Sequence, residues 1–400
     1  MKILMLTPYV PYPPASGGQI RTLNLLKYLS KNNEITLIAL YKFDETKKYS
    51  SFLKPYCKEI YLCKRPEKPW QLKTIWKAIT SSDPFLIVRN YSEEAKKIVS
   101  TLLAKEKFDV IHAETFYIMP HIKETSTPIF LVEQTIEYKV YQHFVNSLPA
   151  FIRPFFMLDI VKLKKWEQYY WKKAFLVGGV SEADRTEIKK LEPSIEPVII
   201  PNCAGDEMFV EQLERKNLEK PTILFIGNFD WLQNTEAVSI LAGQIAPLIK
   251  RDLPNARIVV AGQNAKVKLA RQAMPDNVEV IDLEQDDTNT VLQLYKSSTL
   301  FIAPIFGPGG TRLKILAAMA SGLPVISSKT GVEGLNLQKN KHVLIAETPE
   351  QFAQQVKRIL NDQSMYEAVR KEAYDLAVRE YSWKHIAEKL EIVYKQIKKT

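Results

Sequence analysis

Short apolar runs alternate with stretches of helical spacing along the whole chain, and this alternation predicts the architecture. Lys2–Thr7 reads as a strand and Pro8 to Gly18 as a loop rich in Pro and Gly. Ile20, Leu23, Leu26 and Leu29 then recur at helical spacing before the next apolar strand at 35–40. Further strands are expected at 108–114, 129–132, 174–180 and 198–200, with Ser181 opening a helix. Glu211 to Lys220 is highly charged and lacks an apolar period, which marks it as the interdomain linker. The pattern restarts beyond it, with strands at 222–226, 258–261, 278–281, 300–303, 324–328 and 342–346, a helix at 349–360 and a last helix running to Lys399. Strand-helix-strand repetition of this kind is α/β and doubly wound, a class in which ligands sit at the carboxyl ends of the strands. Four hundred residues exceed what one core usually serves, so two domains are expected.

Pro304 to Gly334 carries the densest chemistry. After the strand at 300–303, Gly307, Pro308, Gly309 and Gly310 break the chain before an apolar-periodic segment from Thr311 to Ala320. A glycine turn lets backbone approach a ligand, and the first turn of the next helix offers unpaired N–H groups and a positive dipole end, to which Arg312 and Lys314 add charge. The pattern suits a phosphate or diphosphate. Ordinary loop glycines beside solvated basic residues would read the same way. The three-glycine dinucleotide fingerprint is absent from the opening strand-loop-helix.

The run Gly309-Gly310-Thr311-Arg312-Leu313-Lys314-Ile315-Leu316, followed by Ala318-Met319-Ala320-x-Gly322-x-Pro324-Val325, resembles the donor-site motif of family 4 glycosyltransferases. Val180-Ser181-x-x-Asp184 and Pro201-Asn202 with Asp206 and Phe209 resemble further signatures of that family, although Cys203-Ala204-Gly205 departs from the usual form. The resemblance implies a GT-B fold, two Rossmann-like doubly wound domains facing a cleft. It places an acceptor-side domain at 1–205, a nucleotide-sugar domain at 206–379 and a C-terminal helix, 380–400, crossing back to the first. The implied activity is retaining transfer of a sugar from a nucleoside diphosphate to a hydroxyl of a polysaccharide or lipid-linked glycan, in cell-envelope or polysaccharide biosynthesis.

By the same resemblance, Arg312 and Lys314 stabilise the leaving diphosphate, with no metal and no cofactor beyond the donor itself. Gly17, Gly18, Gly227, Asn228, Gly309, Gly310, Thr311 and Leu313 approach the donor, with Arg21 a further candidate. Gln134 stands where family members usually carry a His and can hydrogen-bond but not titrate. His112 and Glu137 are candidate substitutes, and His112 and Glu114 candidate acceptor-side residues. Gly309 and Ala317 occupy the places of two family glutamates. Losing the ribose-binding one removes hydrogen bonds of roughly 1.5 to 3 kcal/mol, about tenfold or somewhat more in donor affinity. These departures motivate an alternative, a degenerate scaffold that binds nucleotide or glycan. A nucleotide-sugar epimerase shares the fold but not the Gly-Gly-Thr-Arg-Leu-Lys run.

Composition narrows the partners. The 46% hydrophobic and 25% charged content is that of a soluble globular protein, and no apolar run approaches the roughly 20 residues of a membrane span, so a cytoplasmic location is expected. A net charge of +10 favours anionic partners, and without helix-turn-helix, RNA-binding or finger patterns nucleic acid is not among those expected. Residues 64–80 combine Lys and Arg with Trp70, Leu72, Ile75, Trp76 and Ile79, and 151–175 is also rich in aromatics and lysines. A helix over 64–80 either rests on the inner face of an anionic membrane or packs its tryptophans inward. Cys57, Cys63 and Cys203 are too few and too irregular for a disulfide framework or a zinc site.

Overall fold

A computed structural model describes residues 1–68, 71–284, 287–307 and 313–399. The chain forms two compact units, Met1–Pro201 with Lys384–Thr400, and Asn202–Trp383.

In the first unit, strands β1 (Lys2–Thr7), β2 (Glu34–Tyr41), β3 (Glu59–Lys64), β4 (Val110–Glu114), β5 (Ile129–Glu133), β6 (Leu176–Gly179) and β7 (Val198–Ile199) build one sheet in the order β3-β2-β1-β4-β5-β6-β7. Every pairing is parallel, with Leu6 opposite Ile38 and Met5 opposite His112. A parallel sheet is covered on both faces, and the central strands accordingly read Lys-Ile-Leu-Met-Leu-Thr and Glu-Ile-Thr-Leu-Ile-Ala-Leu-Tyr rather than alternating. The order reverses between β1 and β4. Their carboxyl ends are therefore the switch point at which this class of sheet holds ligands.

The second unit repeats the plan. Strands β8 (Thr222–Ile226), β9 (Arg257–Gly262), β10 (Val278–Asp282), β11 (Leu300–Ala303), β12 (Val325–Ser327) and β13 (Leu344–Ile345) pair in parallel in the order β10-β9-β8-β11-β12-β13, with the switch point between β8 and β11. The segment read as a linker has no helix or strand at 211–220 and is bonded into this unit. Buried Arg370 donates to the Glu214 carbonyl at 2.9 Å and the Gly322 carbonyl at 3.1 Å, while the Tyr374 hydroxyl donates to the Val210 carbonyl at 2.6 Å. The last helix, Trp383–Lys399, changes unit after its first residue. Trp383 donates its indole N–H to the Ala204 carbonyl at 2.6 Å, whereas Lys398 reaches Asp109 at 2.8 Å.

Two fully buried carboxyls hold the loops beside β5. Glu133 accepts from the Trp171 indole at 2.8 Å and from the Phe116 backbone at 3.2 Å. Glu167, on the helix Arg153–Lys173, accepts from the backbone N–H groups of Glu137 and Tyr138 at 2.7 and 3.3 Å. It thus satisfies the opening donors of the helix Glu137–Ser147, whose N-cap Ile136 has no side chain that could. Burial pushes the Glu133 carboxyl up to about 8 and, with Glu133 and Glu137 nearby, pushes that of Glu167 well above its ordinary value. A raised folded-state value means the folded chain binds the proton more tightly than the unfolded one. The stability contributed by Glu133 is complete below its ordinary 4.5 and is lost as pH rises through about 8. Thermal unfolding followed from pH 5 to pH 9 should show the midpoint of wild type falling across this window. Glu133→Gln, which keeps an acceptor and cannot ionise, should flatten that fall; an unchanged slope would refute the assignment.

Candidate functional site

In the first unit the switch point is built on Glu114, the last residue of β4 and 0% exposed. Arg21, on the helix Gly17–Leu29, brings its Nε within 3.2 and 3.3 Å of both carboxylate oxygens and donates through Nη1 to the Ile200 and Pro201 carbonyls at 3.1 and 3.2 Å. His112 Nε2 lies 2.9 Å from Glu114 Oε1, and His112 Nδ1 is hydrogen-bonded to the Tyr394 hydroxyl. Gln134, just past β5, donates to Glu114 at 2.6 Å and to the Tyr9 hydroxyl at 2.7 Å. Burial alone would push the Glu114 carboxyl up. Arg21, His112 and Gln134 outweigh it and hold the group at about 2, a permanent anion.

The cluster has a buried back, comprising Arg21, His112 and Glu114, and a half-buried front, Tyr9 and Gln134. Gly18 packs against that front. A β-carbon there would collide with the Tyr9 hydroxyl and lie 2.7 Å from Gln134 Oε1, which explains why the first helical turn is glycine. Gly17 is the first residue of the same helix. His112 sits at the middle of β4 rather than at its carboxyl end, fully buried, and supports Glu114 instead of facing solvent. Arg21 likewise is committed to Glu114 and two carbonyls. Glu137 is half-buried at the start of its helix, with its carboxyl pushed up to about 7 by burial against the opposing charge of Arg89.

The second unit's switch point is centred on Lys314, on the helix Leu313–Ala320. Its amine donates to Asn234 Oδ1 at 2.6 Å and lies 4.7 Å from the centroid of the Phe225 ring on β8. Asn234 donates in turn to the Asn228 carbonyl at 2.6 Å, and the Asn228 amide to Gln263 Oε1 at 2.8 Å. Gly227, directly after β8, must be bare: a β-carbon there would stand 2.7 Å from Lys314 Nζ. Gly262 has φ of +152° and its missing β-carbon gives room to the Gly227 carbonyl. Amine, amide and bare backbone thus meet at one strand end, an arrangement suited to phosphoryl oxygens. Leu313 begins the described part of this helix, while Gly309, Gly310, Thr311 and Arg312 lie outside the described residues. Ala317 is buried.

Sequence reasoning missed Tyr9 and Asn234. A tyrosine in a proline-rich loop and an asparagine on a helix carry no local signature, and each is placed by the strand end it folds over. The amphipathic segment also differs from its reading. Lys64 closes β3, the helix spans Leu72–Thr80, and Trp70 lies outside the described residues. Trp76 is 69% exposed and Leu72 and Ile79 share its face, because the small residues Thr74 and Ala78 are the ones buried. Lys162 ties the neighbouring helix Arg153–Lys173 to this one through the Ala78 and Ser81 carbonyls, and Phe155, Leu158 and Val161 on it are exposed too. Among the described residues no helix is long and apolar enough to cross a membrane.

Residues 220–362 match the family model of glycosyl transferases group 1. The match lies entirely within the second unit. Over 367 residues, 89% of this chain and 90% of the relative, the sequence is 23% identical to an uncharacterized 44.6 kDa protein in the cps region of Klebsiella pneumoniae. Sucrose-phosphate synthase from Thermosynechococcus elongatus superposes with a TM-score of 0.74 at 14% identity, covering 99% of both chains. Anabaena HepE in complex with UDP-glucose gives 0.64 at 12%, covering 99% of this chain and 100% of its own. The fold of this chain is GT-B.

The Glu114 cluster makes a stability prediction. Glu114→Ala leaves the Arg21 guanidinium buried without its counter-charge and should cost about 3 to 5 kcal/mol in urea unfolding. The double variant Arg21→Met with Glu114→Leu should recover most of that loss. Equal losses in the single and double variants would mean the pair is not the origin of the effect.

Proposed function

We propose that this chain transfers a sugar, with retention, from a UDP-sugar to an acceptor hydroxyl on a glycan or lipid-linked glycan. The observation that carries the reading is the Lys314 amine, held by Asn234 against the bare Gly227 turn at the carboxyl end of β8. A uridine donor is supported by the likeness to HepE in its UDP-glucose complex, and a polysaccharide product by the cps-region relative. Retention rests on the resemblance of the 309–325 run to family 4 enzymes.

In this reading the bond between the anomeric carbon and the diphosphate oxygen breaks, one to the acceptor oxygen forms, and the acceptor proton leaves with the diphosphate. Lys314, with Arg312 beside it in sequence, supplies the positive charge that stabilises the leaving group, in the role a metal takes elsewhere. Gly227 and Asn228 line the donor phosphates, and the family resemblance assigns Gly309, Gly310 and Thr311 to the same ligand. The acceptor is assigned to the first unit, where Tyr9 and Gln134 form the accessible edge of the Glu114 cluster. The exposed Leu72, Trp76, Ile79, Phe155 and Leu158, with Lys73, Lys77, Arg153 and Lys165 around them, support peripheral contact with an anionic membrane surface.

UDP should raise the thermal midpoint of the wild-type protein more than GDP or ADP do, because a ligand bound only by the folded state stabilises it. Lys314→Ala should weaken UDP binding by tenfold or more in calorimetry, the loss of one charge-assisted contact, and should abolish turnover. No shift with any nucleotide at millimolar concentration would favour the degenerate scaffold. Flotation with anionic vesicles tests the membrane surface separately: Trp76→Ser with Phe155→Ser should release the protein from vesicles without changing UDP affinity.

A further inference from the structure

Arg65 follows the last residue of β3, and Arg89 lies on the short helix Phe85–Asn90. Both guanidinium groups are inside the first unit, yet the Nε atoms of both are buried with no hydrogen-bond partner. Neither arginine forms an ion pair among the described residues. Arg65 donates through Nη1 to Asn90 Oδ1, and Arg89 stacks over Phe85 and Tyr141, 5.9 and 6.0 Å from the ring centroids. These contacts position the two side chains without neutralising them. Their surroundings also include Tyr117, which interacts electrostatically with Arg65 and Tyr9, and the carboxyls of Glu137 and Asp159, which interact with Arg89. Burial and the adjacent Arg89 charge hold Arg65 down to about 10, against the opposing influence of Tyr117.

A fold rarely keeps two half-buried guanidinium groups side by side for packing alone. Like charges repel, and unmade donors in a low-dielectric setting are costly. Methionine or leucine would fill the same volume. Guanidinium groups are retained where a planar fork of donors has an oxyanion to meet, and phosphoryl groups are the oxyanions that can match two forks with two negative charges. A single carboxylate would leave one arginine uncompensated. The location agrees, since Arg65 extends from a strand carboxyl end and Tyr117 joins the pair to Tyr9 at the switch point.

We propose that Arg65 and Arg89 form a phosphoryl subsite in the first unit that holds a phosphate or diphosphate group of the acceptor. The proposal rests on the glycosyltransferase reading for the word acceptor, and on the arginine geometry for the site itself. The subsite makes the acceptor an anionic one, a sugar or lipid carrying a phosphoryl ester, and fixes its position through charge before its hydroxyl is aligned.

The test is calorimetric titration of inorganic pyrophosphate into the full chain saturated with UDP, so that the donor site is already filled. Wild type should bind one pyrophosphate. Arg65→Gln and Arg89→Gln should each weaken that binding at least tenfold while changing UDP affinity less than twofold, and Arg89→Lys, which keeps the charge but not the fork, should lose less than Arg89→Gln. Circular dichroism and thermal midpoints identify any variant that fails to fold, and Arg65→Lys and Arg89→Lys then carry the comparison. Farnesyl diphosphate, farnesol and pyrophosphate separate the sources of the group: tighter binding of farnesyl diphosphate than of pyrophosphate, with the same arginine dependence, supports a lipid-linked phosphoryl, and equal binding supports a free or sugar-linked one. Pyrophosphate binding unchanged in both glutamine variants, or absent from the UDP-saturated wild type, overturns the subsite. Glucuronate binding that depends on both arginines where pyrophosphate binding does not overturns the phosphoryl assignment. If UDP itself fails to bind, the donor reading falls, and Lys314→Ala protein titrated with pyrophosphate alone still decides the subsite.

Discussion

The buried pair of Arg21 and Glu114 is the interaction on which the first unit's working end depends. A carboxylate with no solvent exposure is tolerable only if its charge is met, and here it is met by a guanidinium, an imidazole and an amide at once. Each partner comes from a different part of the chain: the first helix, β4 itself and the loop after β5, with the last helix added through Tyr394. Two carbonyls at the end of β7 complete the Arg21 shell. One ion pair therefore fixes the relative positions of distant segments, and the half-buried Tyr9 and Gln134 inherit that rigidity. The same logic, with an amine in place of a carboxylate, organises Lys314, Asn234 and Asn228 in the second unit.

Both groups occupy the place where a doubly wound sheet reverses its strand order. Loops leaving adjacent strands diverge there, and the gap exposes strand-end backbone to a ligand. Glycine recurs at these points for a concrete reason: Gly18 yields to Tyr9 and Gln134, and Gly227 to Lys314. A methyl group would displace the hydroxyl, amide and amine groups themselves.

Much of this was legible in the sequence. Strands such as Lys2–Thr7, Thr222–Ile226 and Leu300–Ala303 were readable to the residue because a parallel strand covered on both faces is an uninterrupted apolar run bounded by polar or turn residues. Lys314 was legible because it sits in a dense local motif. What escaped notice was set by contacts between remote residues. His112 reads as a candidate acceptor-side residue until Tyr394 is seen against it, 282 positions later. Arg21 reads as a site cation until Glu114 claims it. The helix Leu72–Thr80 exposes its large residues because its small ones meet the neighbouring helix Phe85–Asn90, a choice that its amphipathic pattern alone leaves open.

The chain leaves the first unit at Pro201 and returns to it only at Lys384. Synthesis proceeds from the amino end, so the first unit is begun first yet lacks the Tyr394 contact to His112 until the last helix has emerged. The second unit, a continuous segment, can complete its own sheet before that. The order of assembly is thus inverted relative to the order of the sequence, and the closing event for the Glu114 cluster is the arrival of the final helix rather than anything within the first half of the chain.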